Sequence, residues 1–249
     1  MTTAPALSLR NIHKSFGGIV AVEDLSLDVK RGEIVALVGD NGAGKSTVVK
    51  IIAGMHQPSS GEIRLAGKLV HFIDPSQSQA KGVQVVYQDL ALAESQPVYM
   101  SLFLGREKTK GLFGKLDRAG MIAETVELMR ELEVHIPSAK ATIRKLSGGQ
   151  RQAVAIARAT HWATNLVLMD EPTAALGVTE RSKVEDLIIG LKARNLAILI
   201  VSHSLDQVFR LSDHICVLRR GKQICVPQTK QTDKNEIVSM ITGLKASSS

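Results

Sequence analysis

The strongest chemical pattern in the chain is Gly39-Asp40-Asn41-Gly42-Ala43-Gly44-Lys45-Ser46-Thr47. It fits G-x-x-x-x-G-K-[ST], follows the apolar run Ile34–Val38 and precedes a predicted helix, which is the context that pattern requires. Its glycines let backbone N–H groups curl around a polyphosphate, and the helix N-terminus adds partial positive charge. Lys45 is expected to reach the β- and γ-phosphates, and Ser46 to ligate Mg²⁺. A second pattern, LVLMDE at 166–171, is an apolar strand that ends in two carboxylates. Buried carboxylates are costly unless paired or metal-bound. Beside a phosphate loop, Asp170 would hold Mg²⁺ through its water shell, and Glu171 would orient or deprotonate an attacking water. A third pattern, Leu146-Ser147-Gly148-Gly149-Gln150, opens a helix whose N-terminal amides and Ser147 hydroxyl make another phosphate-binding tip. One chain does not need two such tips for a single γ-phosphate.

The elements that must carry these groups read as an α/β protein. Residues 7–30 predict short strands joined by a Gly-Gly turn, with Leu25, Leu27 and Val29 alternating. Ile34–Val38, bounded by glycines, suits a fully buried parallel strand. Ser46–Ala53 predicts a helix stopped by Gly54. Val83–Tyr87, Leu166–Met169 and Ala197–Val201 predict further strands, and residues 91–163 look mainly helical. There, Asp117 suits an N-cap, and Ile122, Val126 and Met129 fall on one helical face. Val184, Leu187, Ile188 and Leu191 make the apolar stripe of a later helix. ICVLRRGKQICV predicts a hairpin around Arg220-Gly221, in a register that sets Cys216 opposite Cys225 as two small buried hydrophobes. Asp233-x-x-Glu236 reads as a capping box for a last helix, Ile237–Ile241.

Composition narrows the class. A chain of 249 residues with 44% hydrophobic and 22% charged residues buries a core without staples, which excludes overall disorder. Two cysteines make no disulfide framework and point to a reducing compartment. The start, MTTAPALSLR, lacks the charged and apolar regions of a signal peptide, so none is expected. No apolar run approaches the ~20 residues that span a bilayer. The net charge of +7 suits nucleic acid or an anionic membrane surface, and is also ordinary for a soluble domain. Aromatics at 3% argue against reading single strands by base stacking.

LSGGQ together with the phosphate loop and DEPTAAL at 170–176 resembles the motif set of ATP-binding-cassette (ABC) ATPases, over nearly the whole chain and in family order. By that resemblance Gln88 matches the glutamine that serves catalysis and the metal at the junction with the helical lobe. His203 matches the switch histidine, and Phe16 the aromatic ring that stacks on adenine. The resemblance implies ATP and Mg²⁺ as cofactors. It also implies a P-loop NTPase (RecA-like) core with an N-terminal antiparallel β subdomain and an inserted α-helical subdomain. Residues 1–90 and 164–249 would form the core of this single cassette and 91–163 the helical signature subdomain. Two copies would dimerise head to tail, so that Lys45 and Ser147 act on one nucleotide from different subunits.

FGGIVAVEDLSLDV, GDNGAGKSTVVKIIAG, FLGRE and EPTAALGV are similar to stretches of bacterial monosaccharide importers of the fructose, ribose and xylose type, most nearly the single-cassette ones. The implied partners are a membrane permease and, indirectly, a solute-binding protein, at the cytoplasmic face of the inner membrane, with no nucleic acid. Gly177 replaces the usual Asp of the D-loop, which weakens any polar cross-subunit contact there. The apolar stretch after Gln88, DLALAESQPVYMSLFLG, reads either as core packing or as a groove for a permease helix. Two other readings stay open: import of another small solute, and a non-transport ATPase acting on nucleic acid or ribosomes.

Overall fold

The computed structural model describes residues 4–111 and 114–244. They form two compact units. The first holds the described residues up to Val85, Ala163–Glu171 and those from Leu191 onward; the second holds Val86–Trp162 and Pro172–Gly190. The second unit thus takes in residues 86–90 and 172–190 as well as 91–162 of the 91–163 stretch assigned from sequence to the helical insertion.

In the first unit β1 (Leu7–Phe16) and β2 (Ile19–Val29) pair antiparallel, with Leu7 opposite Val29 and Leu9 opposite Leu27. β3 (Ile34–Gly39) is buried along its whole length and leads through the glycine loop into α1 (Lys45–Ile52). β4 (Ser60–Leu65) pairs antiparallel with the other side of β1, and β5 (Lys68–Val70) closes that edge. After α2 (Pro75–Ala80) comes β6 (Val83–Val86).

The second unit contains α3 (Val98–Leu102), a two-stranded hairpin of β7 (Thr109–Lys110) and β8 (Lys115–Leu116), α4 (Arg118–Glu131) and α5 (Gly148–Trp162). β9 (Leu166–Asp170) belongs to the first unit, α6 (Val178–Gly190) to the second. The first unit ends with β10 (Ala197–Val201), α7 (Leu205–Leu211), β11 (His214–Arg219), β12 (Lys222–Cys225) and α8 (Lys234–Thr242).

Ten strands form one sheet in the order β5-β4-β1-β2-β12-β11-β3-β10-β9-β6. β11, β3, β10 and β9 run parallel to their neighbours in that set. The period-2 alternation of β3 explains why helices cover both faces. Val35 and Leu37 pack with Val48, Val49, Ile51 and Ile52 of α1, whereas Ala36 and Val38 pack with Val208 of α7 and Ile237 of α8. This is the α/β architecture expected from the sequence, with an antiparallel β1-β2-β4-β5 region at one end of the sheet.

Three local expectations shift. In the β11–β12 hairpin Leu218 does pair with Gln223, but a bulge then sets Val217, not Cys216, opposite Cys225. Cys216 lies in the core beside Leu37 of β3, and burial pushes its thiol up to about 12. In α4 the buried face is Met121, Thr125, Leu128 and Met129, while Val126 is exposed. Thr125 Oγ1 donates to Met121 O at 2.7 Å, which satisfies the hydroxyl and lets threonine occupy a core position. Asp117 caps this helix as expected, accepting from Gly120 N. The last helix is longer than Ile237–Ile241, because Asp233 accepts from Glu236 N and starts it at Lys234.

Within the second unit Val98, Tyr99, Leu102 and Phe103 of the apolar stretch after Gln88 are buried, Leu90, Leu92, Ala93 and Met100 are half-buried, and Leu104 is exposed. Trp162 Nε1 donates to Leu102 O at 3.1 Å, its ring packs against Phe103 and His161, and the Arg106 guanidinium lies 4.7 Å over it. No helix among the described residues is long and apolar enough to cross a membrane.

Candidate functional site

β3 delivers the phosphate loop, and its geometry requires glycine at two positions. A Cβ on Gly39 (φ +155°) would stand 2.3 Å from Leu218 O, and one on Gly44 (φ +103°) 2.5 Å from Ala21 O. β11 and β2 thus press against the loop from outside. Around Gly42 the space is open. The loop closes by Ala43 N donating to Asp40 O, by Asn41 N donating to Asp40 Oδ1 and by Gly221 N donating to Ala43 O. Gly44 is the N-cap of α1; the first turn has no acidic residue and receives no side-chain cap. Those amides are therefore suited to an anion.

Lys45 is buried, and its Nζ donates to Gly39 O at 2.8 Å and Asp40 O at 2.9 Å. Burial lowers its pKa, against the opposing pull of Glu171, Asp40 and Asp170. Ser46 is exposed and Thr47 half-buried at the start of α1.

Strand register brings the acids to the same end of the sheet. Val201 of β10 pairs with Asp170 on one side and with Leu37, two residues before the loop, on the other. Ligands bind outside the carboxyl ends of parallel strands for this topological reason. Glu171 N donates to Val201 O at 3.0 Å and the residue takes φ +52°, a left-handed turn that stops β9. Its Oε1 is buried without a hydrogen-bond donor, and His203 Nε2 lies 3.4 Å away. Burial raises the Glu171 carboxyl; His203 pulls it down and Asp170 pushes it further up. Burial likewise raises Asp170, against Lys45, His203 and Lys50.

Lys45, Asp170, Glu171 and His203 thus form one electrostatic group. The residues fit a Mg²⁺-nucleotide. They offer a cradle of glycine amides, the Ser46 hydroxyl at the start of α1, the Asp170 carboxylate at the same end of the sheet, and one carboxylate oxygen with an unused acceptor. No group of three or more His, Cys, Asp or Glu able to hold a metal exists among the described residues. A divalent ion here would draw its remaining ligands from phosphate and water, as Mg²⁺ commonly does. Phe16, also in this unit, ends β1 with its ring 44% exposed. It touches His56 edge-on, and Lys14 Nζ lies 4.9 Å from its centre.

The second unit holds the other expected site residues. Gln88 is exposed on the bend that follows β6. Ser147 is exposed and Gly148 opens α5. Ser147 and Gln150 form a reciprocal cap: Gln150 N donates to Ser147 Oγ at 3.2 Å, and Ser147 N donates to Gln150 Oε1 at 3.0 Å. Gln150 Nε2 also donates to His135 O.

A Cβ on Gly149 would meet Glu180 Cβ at 3.0 Å, so this glycine lets α6 pack closely on α5; Gly148 faces Leu176 of the D-loop stretch. Gly177 has open space around it and an ordinary φ. The Gly221 amide on the phosphate loop, the Glu180 packing and a clamp by Arg158 on Leu90 and Ala91 were not visible in the sequence. Of these, only the Arg220-Gly221 turn left a local signal.

Comparison with known proteins bears on the family and the fold. A family model described as ABC transporter matches residues 22–174. The xylose/arabinose import ATP-binding protein XylG of Sulfolobus acidocaldarius is 44% identical over 95% of this chain and 93% of its own. The fructose import ATP-binding protein FrcA of Rhizobium meliloti is 41% identical over 98% of this chain and 96% of its own. A solved ATP-binding cassette of an ABC transporter superposes with a TM-score of 0.84 at 25% identity, over 97% of this chain and 99% of the other.

Proposed function

The chain belongs to the ABC transporter family, and on that premise we propose that it is the ATP-hydrolysing subunit that powers monosaccharide import through a separate membrane permease. The observation that carries the ATPase reading is the meeting of Lys45, Asp170, Glu171 and His203 at one sheet end, beside a glycine loop that needs its glycines. Sugar import rests on the near full-length similarity to two sugar import ATP-binding proteins.

In this reading the amides of Gly42–Ser46 and the Lys45 ammonium bind the triphosphate, and Thr47 and Asn41 complete the loop. Ser46, Asp170 and Gln88 hold Mg²⁺. Bound Mg²⁺ supplies neutralisation of charge on the phosphoryl oxygens. Glu171 accepts the proton of the attacking water at Oε1, helped by a carboxyl whose burial raises its affinity for that proton. His203 orients the same carboxylate and the water. Phe16 stacks on adenine. Ser147, Gly148, Gly149 and Gln150 serve the nucleotide of a second copy, since they form the N-terminus of α5, where the helix dipole favours an anion. A head-to-tail dimer follows, resting on permease subunits at the cytoplasmic membrane face and indirectly on a solute-binding protein.

Glu171→Gln keeps the shape of the site and removes its base. With Mg-ATP this variant should be a dimer by light scattering. A monomer, under conditions where the wild type turns over, overturns the dimer scheme. Loss of uptake of a labelled monosaccharide in a strain lacking the gene, restored by the wild-type chain, tests the sugar.

A further inference from the structure

Ala91 lies three residues beyond Gln88 with φ +48°, a conformation that its Cβ disfavours. Its carbonyl and the preceding one are gripped by a single guanidinium. Arg158 Nη1 donates to Ala91 O at 2.9 Å, and Nη2 donates to Leu90 O at 3.2 Å. Arg158 is on α5, the helix that the signature residues open. It is partly buried, and burial lowers its pKa. A desolvated guanidinium held by two carbonyls is costly to keep for solubility alone.

The rest of the segment is fastened to its own helix α3 and to the stretch that precedes the signature residues. Ala93 N donates to the buried Ser101 Oγ, Arg144 N to Glu94 O, Ile143 N to Gln96 O and Val98 N to Ala141 O. The backbone after Gln88 is thus tied both to α5 and to the stretch that leads into Leu146–Gln150.

We propose that Arg158 is a positioning residue for hydrolysis: its fork holds the left-handed turn at Ala91 and so sets how the backbone presents Gln88, linking that glutamine to the signature helix. This rests on the role given above to Gln88. Lysine is a poorer substitute for the fork, because its compact ammonium carries rotatable donors rather than a rigid planar pair.

The test is steady-state ATPase of the full chain in four variants. Arg158→Lys, which keeps charge and stem, should lower kcat about tenfold, the scale of a misplaced catalytic group. It should leave KM for Mg-ATP within about twofold, as expected when only the chemical step is affected. Combined with Gln88→Ala, it should add almost nothing to the loss from Gln88→Ala alone, since a residue that acts through another is not additive with it. Ala91→Gly in the Arg158→Lys background should restore most of the loss, because glycine takes this φ without a clamp. A wild-type kcat in Arg158→Lys beside a slow Gln88→Ala overturns the proposal. Full additivity in the double variant does so too, as does failure of Ala91→Gly to restore turnover. A wild-type kcat in Gln88→Ala overturns the role of the glutamine, and the proposal with it.

Discussion

A carboxylate that takes a proton from water needs an unshared lone pair and enough basicity to keep the proton, and Glu171 has a source for each. Its Oε1 is buried without a donor, and burial raises its pKa. Replacing it with glutamine should slow turnover by roughly 10²–10⁴-fold, the usual range for a lost general base. A stability effect with a definite sign accompanies this. A raised folded pKa means that the folded state binds this proton more tightly than the unfolded chain does. Ionisation therefore costs stability as pH climbs from the ordinary glutamate range through the raised folded value, and glutamine removes that cost. Thermal melts should show Glu171→Gln above the wild type at about pH 8, with the gap closing below about pH 4; a gap independent of pH would refute burial as the cause.

Phe16 separates binding from folding in the same way. Its ring is 44% exposed, so Phe16→Ala should leave the melting temperature nearly unchanged. Titration with a fluorescent ATP analogue should show affinity weakened by roughly 5–100-fold, the measured scale of base–aromatic stacking.

At the scale of elements, two glycines one helix apart have opposite expectations. Gly149→Ala drives a methyl group into Glu180 and should cost about 1–3 kcal/mol, as overpacking does. Gly177→Ala meets nothing, at an ordinary φ, and should be neutral or stabilising by up to about 1 kcal/mol through the unfolded chain. Chemical denaturation of both variants checks the pair; equal losses would show that close packing of α6 on α5 is not what Gly149 permits. The same distinction explains what the sequence disclosed. Ile34–Gly39, Leu166–Asp170 and Ala197–Val201 were legible as strands because fully buried parallel strands leave continuous apolar runs. The phosphate loop and the acid pair were legible because their chemistry demands particular residue types at short spacing. The bulge beside Val217 was not, since an unpaired residue has no sequence mark. The turned face of α4 was hidden because a threonine satisfied by Met121 O passes for a surface residue. Arg158 was hidden because carbonyl groups, its partners, are the same in every residue.

At the scale of the molecule, the chain carries one phosphate loop and one signature tip, in separate units. If each nucleotide is shared between copies, Lys45→Ala and Ser147→Arg homodimers are both inactive but a mixed dimer has one intact site. Equimolar mixing should then restore about a quarter of wild-type ATPase: half the dimers are mixed, and each has one working site of two. No recovery on mixing would argue against a site shared between copies. The packing around Trp162 supplies an independent way to follow such events. It is the chain's one tryptophan, and it is enclosed by Phe103, His161 and Arg106 in the second unit. The intrinsic emission of the protein is therefore an optical signal from that unit alone. A colour shift on adding nucleotide would register a change in the surroundings of Trp162 itself, with no label attached.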